Sequence, residues 1–425
     1  MKNKLNIVFL VDNYYPKFSP VAKCAYNIAK EMSNQYNVTV ITLDGDKEEG
    51  ETEVIDNHSV KRGYISTFFQ RKKCTGKVSN SNKVKSIFNK VEMLFIRAKS
   101  YLKANISRVN INQEIVECYL KHMNGIDIDV IIPVCLPFES VVAACNYKEK
   151  NSQVMILPFL FDRFTNNKSL HRNAINRKLK RKAHLLLEKN MIISADHIFA
   201  MHQLKANFEN MFPQDIKSFS FIEHPLLCNI NLPNPTCRDN ITRLIYAGAL
   251  YKKYRSPNYA LKIFELIKGD FILDFYSAGN CEDVIDEYSK MKNSKIRSHG
   301  YVSVEELEIA YANTDILISI GNFRSHNMAS KIFEYMSIGK PIIHFYEIDQ
   351  DPVLNVLDKY PLALLIKQDE KNIYENAKKI QKFIEENKEK QIEYKKIAEV
   401  FNDATPNTVM TYFEEQIARR NFTYE

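Results

Sequence analysis

The sequence predicts an α/β chain of two doubly wound, Rossmann-like domains in tandem. Three observations point there. Short apolar, β-rich runs alternate with helix-periodic stretches from the start; the alternation stops at residues 229–240, which hold four Asn and two Pro without periodicity; it then begins again. A length of 425 residues suits two or three domains of about 100–200 residues each.

The opening reads strand (5–11), turn-rich loop (13–20), helix (21–33) and strand (38–42). Later strands are expected at 130–134, 154–157, 197–201 and 219–223, with a long helix at 172–193. In the second half, strands are expected at 244–247, 272–276, 296–300, 316–320 and 341–345, interleaved with helices at 257–268, 282–291, 303–312 and 330–338. This alternation predicts parallel sheets with helices on both faces. Residues 370–400 are Lys/Glu-rich and helical, and Thr405-Pro406 opens a last amphipathic helix carrying Val409, Phe413 and Ile417. The expected domains are 1–229, with an insert at about 60–108, and 230–405.

The net charge of +8 is unevenly shared. Residues 1–230 carry 33 Lys+Arg against 22 Asp+Glu, and 231–425 carry 26 against 29, so the halves are +11 and −3. The excess sits at 60–108, with 13 basic residues and one acidic, and at 168–189, with eight and one. An anionic partner is expected at the first half. Between residues 84 and 102, apolar residues recur at helical spacing with Lys83, Lys85, Lys90, Arg97, Lys99 and Lys103 largely between them. That pattern fits a helix in an anionic membrane interface, and equally the solvated face of a core helix. No zinc-finger or RNP-type signature supports a nucleic-acid partner.

No apolar run approaches the roughly 18 residues of a membrane helix, and the run at 5–11 is short for a signal peptide. A cytoplasmic protein is expected, with peripheral contact at the inner face of the plasma membrane as the basic stretch allows. Its eight cysteines, with no Cys-x-x-Cys pair, are expected to be reduced core thiols.

Several chemistries lose their support: there is no GxGxxG after a first strand, no GxxxxGK[ST], no GxSxG and no HExxH. The informative stretch runs from Ile320 through Gly-Asn-Phe-Arg-Ser-His-Asn-Met-Ala to Ser330-Lys-Ile-Phe-Glu-Tyr335 and the stop Gly339-Lys-Pro341. It reads as a strand end, a polar loop and a helix, the junction at which open α/β sheets bind ligands and where a helix N-terminus suits a diphosphate. The Glu334 carboxylate, an acceptor only, could hold two vicinal ribose hydroxyls. After the first strand of the same domain, Tyr246-Ala-Gly-Ala-Leu250 leads to Lys252, Lys253 and Arg255, cations placed to neutralise a leaving diphosphate. His326, ahead of the helix, could hydrogen-bond a transferred sugar or a phosphate.

With these residues the chain resembles the nucleotide-sugar glycosyltransferases of GT-B architecture, and within them the glycosyltransferase 4-like group. The resemblance covers nearly the whole length. The opening from Phe9 to Val21 and the helix Tyr26-Asn-Ile-Ala-Lys-Glu31 look like the family's first βα unit, Tyr246-Ala-Gly-Ala-Leu250 like its phosphate loop, and His299-Gly-Tyr-Val302 like its base-side strand end. Ser330-Lys-Ile-Phe-Glu-Tyr335 looks like its donor helix.

The resemblance implies two Rossmann-like domains about a cleft, a final helix (406–425) returning to the first, and transfer of a hexose-type sugar from a nucleotide diphosphate with retention. It implies a donor site of Gly248, Lys252, Gly300, Tyr301, Asn327, Ser330, Lys331 and Glu334, with Lys253, Arg255 and His326 nearest the reaction. Ser19, Asp162 and Arg163 are the acceptor-side candidates. The acceptor is expected to be a lipid-linked glycan of a cell-surface polysaccharide such as a capsule or exopolysaccharide. No cofactor and no metal are expected: the Asp-x-Asp triplets, at Asp44 and Asp127, lie outside the donor half.

Three departures stand out. His326 occupies the first position of the family's glutamate pair, Ser19-Pro20 replaces a Gly-Gly, and Pro133-Val-Cys-Leu-Pro137 stands where a histidine is common. They motivate an alternative from another class, a non-catalytic GT-B-like protein binding glycan or partner enzymes in an assembly complex.

Overall fold

A computed structural model describes residues 4–16, 19–47, 51–66, 94, 107–165, 167, 170–171, 173–236, 239–323 and 328–422. The chain divides into two compact units, Met1–Pro225 with Pro406–Glu425, and Leu226–Thr405. The division falls slightly before residue 229 because the chain beyond Pro225 already bonds within the second unit. The Leu227 N–H donates to the Ala404 carbonyl (3.1 Å), the Tyr394 hydroxyl donates to the Leu227 carbonyl (3.0 Å), and the Cys228 N–H donates to Ser337 Oγ (3.1 Å).

In the first unit the order is β1 (Asn6–Leu10), α1 (Pro20–Met32), β2 (Asn37–Thr42), β3 (Glu51–Ile55), β4 (His58–Arg62), α2 (Gln113–Met123), β5 (Val130–Cys135), α3 (Glu139–Lys150), β6 (Met155–Ile156), β7 (Phe159–Leu160), α4 (Ala174–Ser194), β8 (Ile198–Met201), α5 (Lys205–Met211) and β9 (Phe219–Ile222). The strands run β3-β4-β2-β1-β5-β7-β8-β9 across the sheet, with β6 beside β5. All described pairings are parallel except β3 with β4.

That antiparallel edge corrects the expected insert, whose first residues, 60–62, are the end of β4. Its turn is Asp56-Asn57, both at positive φ (42° and 67°), the residue types that tolerate the turn matching a hairpin's twist. The helix expected at 84–102 lies outside the described residues, Leu94 excepted. One face of the sheet buries Val8, Leu10, Ile41 and Ile131 against Ile115, Val116 and Tyr119 of α2 and Ala143 and Ala144 of α3. The final helix (Pro406–Phe422) belongs to this unit. Its Phe413 ring packs on Phe159 (5.4 Å) and Phe199 (4.0 Å), and its Glu414 accepts from the Tyr36 hydroxyl (3.1 Å).

The second unit follows as β10 (Thr242–Leu250), α6 (Asn258–Leu266), β11 (Phe271–Gly279), α7 (Glu282–Ser289), β12 (Ile296–Ser298), α8 (Val304–Ala312), β13 (Ile316–Ile320), α9 (Lys331–Ile338), β14 (Ile342–Tyr346), α10 (Pro352–Leu357), β15 (Ala363–Lys367), α11 (Ile373–Asn387) and α12 (Tyr394–Val400). Its sheet is parallel throughout the described pairings, in the order β12-β11-β10-β13-β14-β15. Alternate residues of β10 feed opposite cores. Leu244 and Tyr246 join Phe264, Phe275 and Ile380 on one face, and Ile245 and Ala247 join Phe333, Met336 and Phe401 on the other. A strand buried on both faces reads as a continuous apolar run, which is why it was visible in the sequence.

The Asp-x-Asp triplets serve the first unit's frame. Both carboxylate oxygens of Asp44 accept from Arg62 (2.8 Å each), and Asp129 accepts the Asn6 N–H (2.7 Å). The cysteines among the described residues are free thiols, most of them buried.

Candidate functional site

The chain enters the second sheet at β10, fills one side with β11 and β12, then crosses to β13, β14 and β15. Beyond the carboxyl ends of β10 and β13 the two connections therefore diverge, and a doubly wound sheet forms its ligand crevice at that point. Two segments border it, 251–256 after β10 and 321–323 after β13. They are joined where the Phe323 N–H donates to the Tyr254 carbonyl (2.9 Å).

The first loop is a closed turn: the Tyr251 N–H donates to the Arg255 carbonyl (3.0 Å) and the Arg255 N–H to the Tyr251 carbonyl (2.8 Å). It fixes its three cations differently. Lys252 pairs with Asp283 of α7, and its N–H donates to Asn280 Oδ1 (2.9 Å). Lys253 is exposed and has no ion-pair partner among the described residues. Arg255 is half-buried beside Tyr246: burial pushes that phenol's pKa up and the guanidinium opposes it. The Arg255 Nε is buried without a hydrogen-bond partner among the described residues. A donor so placed is one that an anion can satisfy.

Helix α9 begins on the other side of the crevice. Ser330 is its N-cap residue but its side chain makes no cap bond, and the N–H groups of Ile332 and Phe333 turn back to the carbonyls of Ala329 (3.0 Å) and Ser330 (3.2 Å). Those two N–H groups are thus committed, which narrows the expected anion seat to the helix's leading residues. Lys331 and Glu334 form a 2.6 Å ion pair, each about a third exposed. The Lys331 ammonium also sits 5.5 Å from the Tyr311 ring centre. Burial first, and then the Glu334 carboxylate, raise the Tyr311 phenol well above its usual pKa. His326 and Asn327 lie outside the described residues.

Sequence reasoning missed Tyr335, which holds the helix to the strand. Its buried hydroxyl accepts the Ala247 N–H (2.7 Å) and lies 3.2 Å from the Ala247 carbonyl. The pairing of β10 with β13 ends at Tyr246 and Ile318, so Tyr335 takes over where the ladder stops. A tyrosine one place after the glutamate was the available signal. The Gly339 stop is required by geometry: its φ is 80° and a Cβ would strike the Ile392 carbonyl. Lys340 is structural, donating to the carbonyls of Tyr311 (3.0 Å), Ala312 (3.1 Å) and Thr314 at the end of α8.

The remaining donor-side candidates cluster at neighbouring strand ends. Gly248 is partly exposed near the end of β10, in register with Ser277. After β12, His299 Nε2 lies 2.6 Å from Asp274 Oδ1 and its ring stacks on Tyr276 (4.4 Å between centres). Gly300 turns the chain at φ 67°, leaving the Tyr301 ring 80% exposed ahead of the Ser303/Glu306 capping box of α8. That ring is a flat apolar surface to which a nucleobase could add.

In the first unit the acceptor-side candidates also stand beyond strand ends, yet they are internally bonded. Ser19 caps α1: its Oγ accepts the Ala22 N–H (3.1 Å) and donates to Asp12 (3.3 Å), with Pro20 in the first helical position. The replaced Gly-Gly is thus a helix start. Asp162 accepts the Arg163 N–H (2.8 Å) and an Asn167 amide N–H (2.9 Å), while the Arg163 side chain is exposed. Burial raises the pKa of Asp162, and also those of Asp12 after β1 and Glu139 after β5. His224 is buried and contacts Glu223 (2.7 Å), a structural role.

No protein-family model matches the chain, and no curated protein matches it in sequence. Solved structures do resemble it. Sucrose-phosphate synthase from Thermosynechococcus elongatus aligns at 11% identity and TM-score 0.61, over 99% of this chain and 100% of that one. HepE from Anabaena, solved with UDP and glucose, aligns at 13% identity and TM-score 0.60 over 98% and 100%. A putative UDP-N-acetylglucosamine 2-epimerase from Listeria monocytogenes aligns at 12% identity and TM-score 0.55 over 99% and 98%. The chain therefore has the GT-B fold.

Proposed function

We propose that the protein is a glycosyltransferase of the 4-like group, moving a hexose-type sugar from a nucleotide diphosphate donor to a glycan acceptor. The observation that carries this reading is the hydrogen bond from Phe323 to Tyr254, which joins the segments after β10 and β13 at the second unit's strand crossover, with exposed Lys253 and the Arg255 Nε, unpartnered among the described residues, on the first of them. A nucleotide sugar already has a good leaving group, so transfer needs charge neutralisation on the departing diphosphate and an oriented acceptor hydroxyl. Lys253, Arg255 and the α9 N-terminus supply the first; Glu334, released from Lys331, accepts ribose hydroxyls; Gly300 and Tyr301 face the base. His326 and Asn327, which precede α9 in the sequence, are assigned to the transferred sugar. The acceptor enters at Ser19, Asp162 and Arg163.

In this reading the cations do the work that a divalent metal does elsewhere, and the anomeric configuration is retained. The acceptor is a lipid-linked cell-surface glycan at the inner face of the plasma membrane. HepE, solved with UDP-glucose, and the lipopolysaccharide outer core galactosyltransferase WaaB, at 13% identity and TM-score 0.53, support a sugar-nucleotide donor and a glycan acceptor. The epimerase structure favours a second reading, in which a bound UDP-sugar is rearranged without any acceptor.

Thermal shifts with UDP, GDP, ADP and CMP in chelator test the donor site. One nucleotide is expected to raise stability, by about 2.7 kcal/mol at 100 times its dissociation constant, and Glu334→Ala to abolish the rise. Product analysis with one sugar nucleotide and no acceptor separates the readings: an isomerised sugar nucleotide would replace transfer by epimerisation.

A further inference from the structure

Helix α4 buries polar side chains alongside Met191 and Ile192 and leaves an aliphatic ridge exposed. Lys180, His184 and Glu188 are on its buried side, whereas Ile175, Leu179, Leu186 and Ile193 are 72%, 75%, 56% and 72% exposed. The exposed four follow one another by steps of four, seven and seven residues, which align on one helical face about 27 Å long. The helix cannot roll to bury them, because the polar side is bonded in place. The Lys180 ammonium donates to Asn110 Oδ1 (2.7 Å) and Ser107 Oγ (3.2 Å), the Asn110 N–H donates to His184 Nε2 (3.2 Å), and Glu188 accepts the N–H groups of Phe164 (3.2 Å) and Thr165 (3.0 Å). Beside the apolar ridge run exposed Lys178, Lys182 and Lys189. The one acidic side chain of the helix, Glu188, is buried.

We propose that the outer face of α4 docks on an anionic lipid bilayer, its four aliphatic side chains entering the acyl boundary and its lysines lying among the headgroups. A contiguous apolar ridge held out in water marks an interaction surface, and its lysine flank selects the partner. A second copy of the chain is disfavoured by the same charges, since paired ridges would bring lysine rows together with no exposed carboxylate on the helix to offset them. The inference is independent of the donor site and of the basic stretch at 84–102.

Sedimentation of the full chain with phosphatidylcholine vesicles, with and without phosphatidylglycerol, tests it. Wild type is expected to bind only the anionic vesicles. Leu179→Gln/Leu186→Gln, and separately Lys178→Glu/Lys182→Glu/Lys189→Glu, are expected to weaken binding by roughly tenfold or more while leaving the melting temperature and the nucleotide response unchanged. Equal binding to neutral vesicles would overturn the proposal. So would a fall of several degrees in the melting temperature of the leucine variant, which would mean the ridge is covered by the chain itself. Loss of a dimer in that variant would reassign the ridge to a second copy. Release by charge reversal of Lys85, Lys90, Arg97 and Lys99, with binding unchanged in both α4 variants, would assign the membrane contact to the other stretch and sink the role of α4.

Discussion

The two units meet the same topological situation with opposite chemistry. Beyond the strand ends of the second unit, charge is left available: Lys253 is exposed, Arg255 Nε has no hydrogen-bond partner among the described residues, and Glu334 is paired with a lysine that is about a third exposed. Beyond those of the first, polar groups are used up internally. Ser19 caps a helix, Asp162 holds its own loop, and Asp12, Glu139 and Asp162 have pKa values raised by burial. Charge awaiting a partner suits a diphosphate. Short, desolvated acceptors suit neutral hydroxyls, which need orientation rather than neutralisation.

The largest effect should come from removing the available charge. Arg255→Met, which keeps the side chain's length, is expected to lower kcat by about 10²–10³-fold, the usual cost of losing one donor to developing negative charge. Lys253→Ala should act in the same direction with no loss of thermal stability, since that ammonium has no ion-pair partner among the described residues. Steady-state kinetics with the nucleotide found by thermal shift would decide, and full turnover in both variants would erase the contrast between the units.

Next in size is Tyr335→Phe. It leaves the Ala247 N–H buried and unpaired, at a cost of about 1–3 kcal/mol in urea unfolding. Because the same hydroxyl fixes α9 against β10, the Michaelis constant for the donor should rise as well. Lost stability with an unchanged Michaelis constant would show that Tyr335 supports the fold without shaping the site.

The buried polar side of α4 supplies the third test. Burial, first, and the neighbouring His171 and Lys180 push the His184 pKa down to about 4, against a model-peptide value near 6.5. Here the unfolded chain binds the proton more tightly, so stability is complete above about pH 6.5 and declines as the pH falls towards 4. Between pH 7 and 5 this one group should cost about 2 kcal/mol, and His184→Gln should flatten the decline. Glu188, whose pKa burial raises, works the other way: the fold prefers its neutral form, so it gains stability on acidification. An unaltered pH profile in the His184 variant would assign the acid sensitivity elsewhere in the first unit.

Most of the fold was legible because buried parallel strands announce themselves as apolar runs. Strand β15 (Ala363–Lys367) carries such a run and was still not among the expected strands; other elements went unseen where the signal is absent. Strand β3 (Glu51–Ile55) is an edge strand with partly or fully exposed side chains, and its hairpin turn is written only in Asp56-Asn57. Strand β7 has two residues, too few for any period to show. The candidate site's charges could be nominated from the sequence, since Lys253, Arg255 and Glu334 follow from strand ends and helix position. Its supports could not. Tyr335 reads as an ordinary core aromatic until its hydroxyl is seen on Ala247, and the pairing of Lys252 with Asp283 depends on a fold-level neighbour thirty-one residues away. Helix α4 was legible as a helix, and what its spacing did not reveal is the aliphatic ridge it leaves exposed.

The smallest prediction concerns Ser19, which is at once a sequence-level acceptor candidate and a structural cap. Ser19→Ala should cost about 1 kcal/mol of stability by stranding the Ala22 N–H, and Ser19→Asn, whose side chain can accept the same bond, should restore it. Turnover distinguishes the two roles. If the first unit's polar groups are committed to the fold, Asn restores activity together with stability, because the loop and the start of α1 are all that the hydroxyl secures. If Ser19 instead touches the acceptor, Asn restores stability alone and the Michaelis constant for the acceptor stays high. Only the second result would place available chemistry on the first unit's strand ends, and it would do so through a hydroxyl rather than a charge.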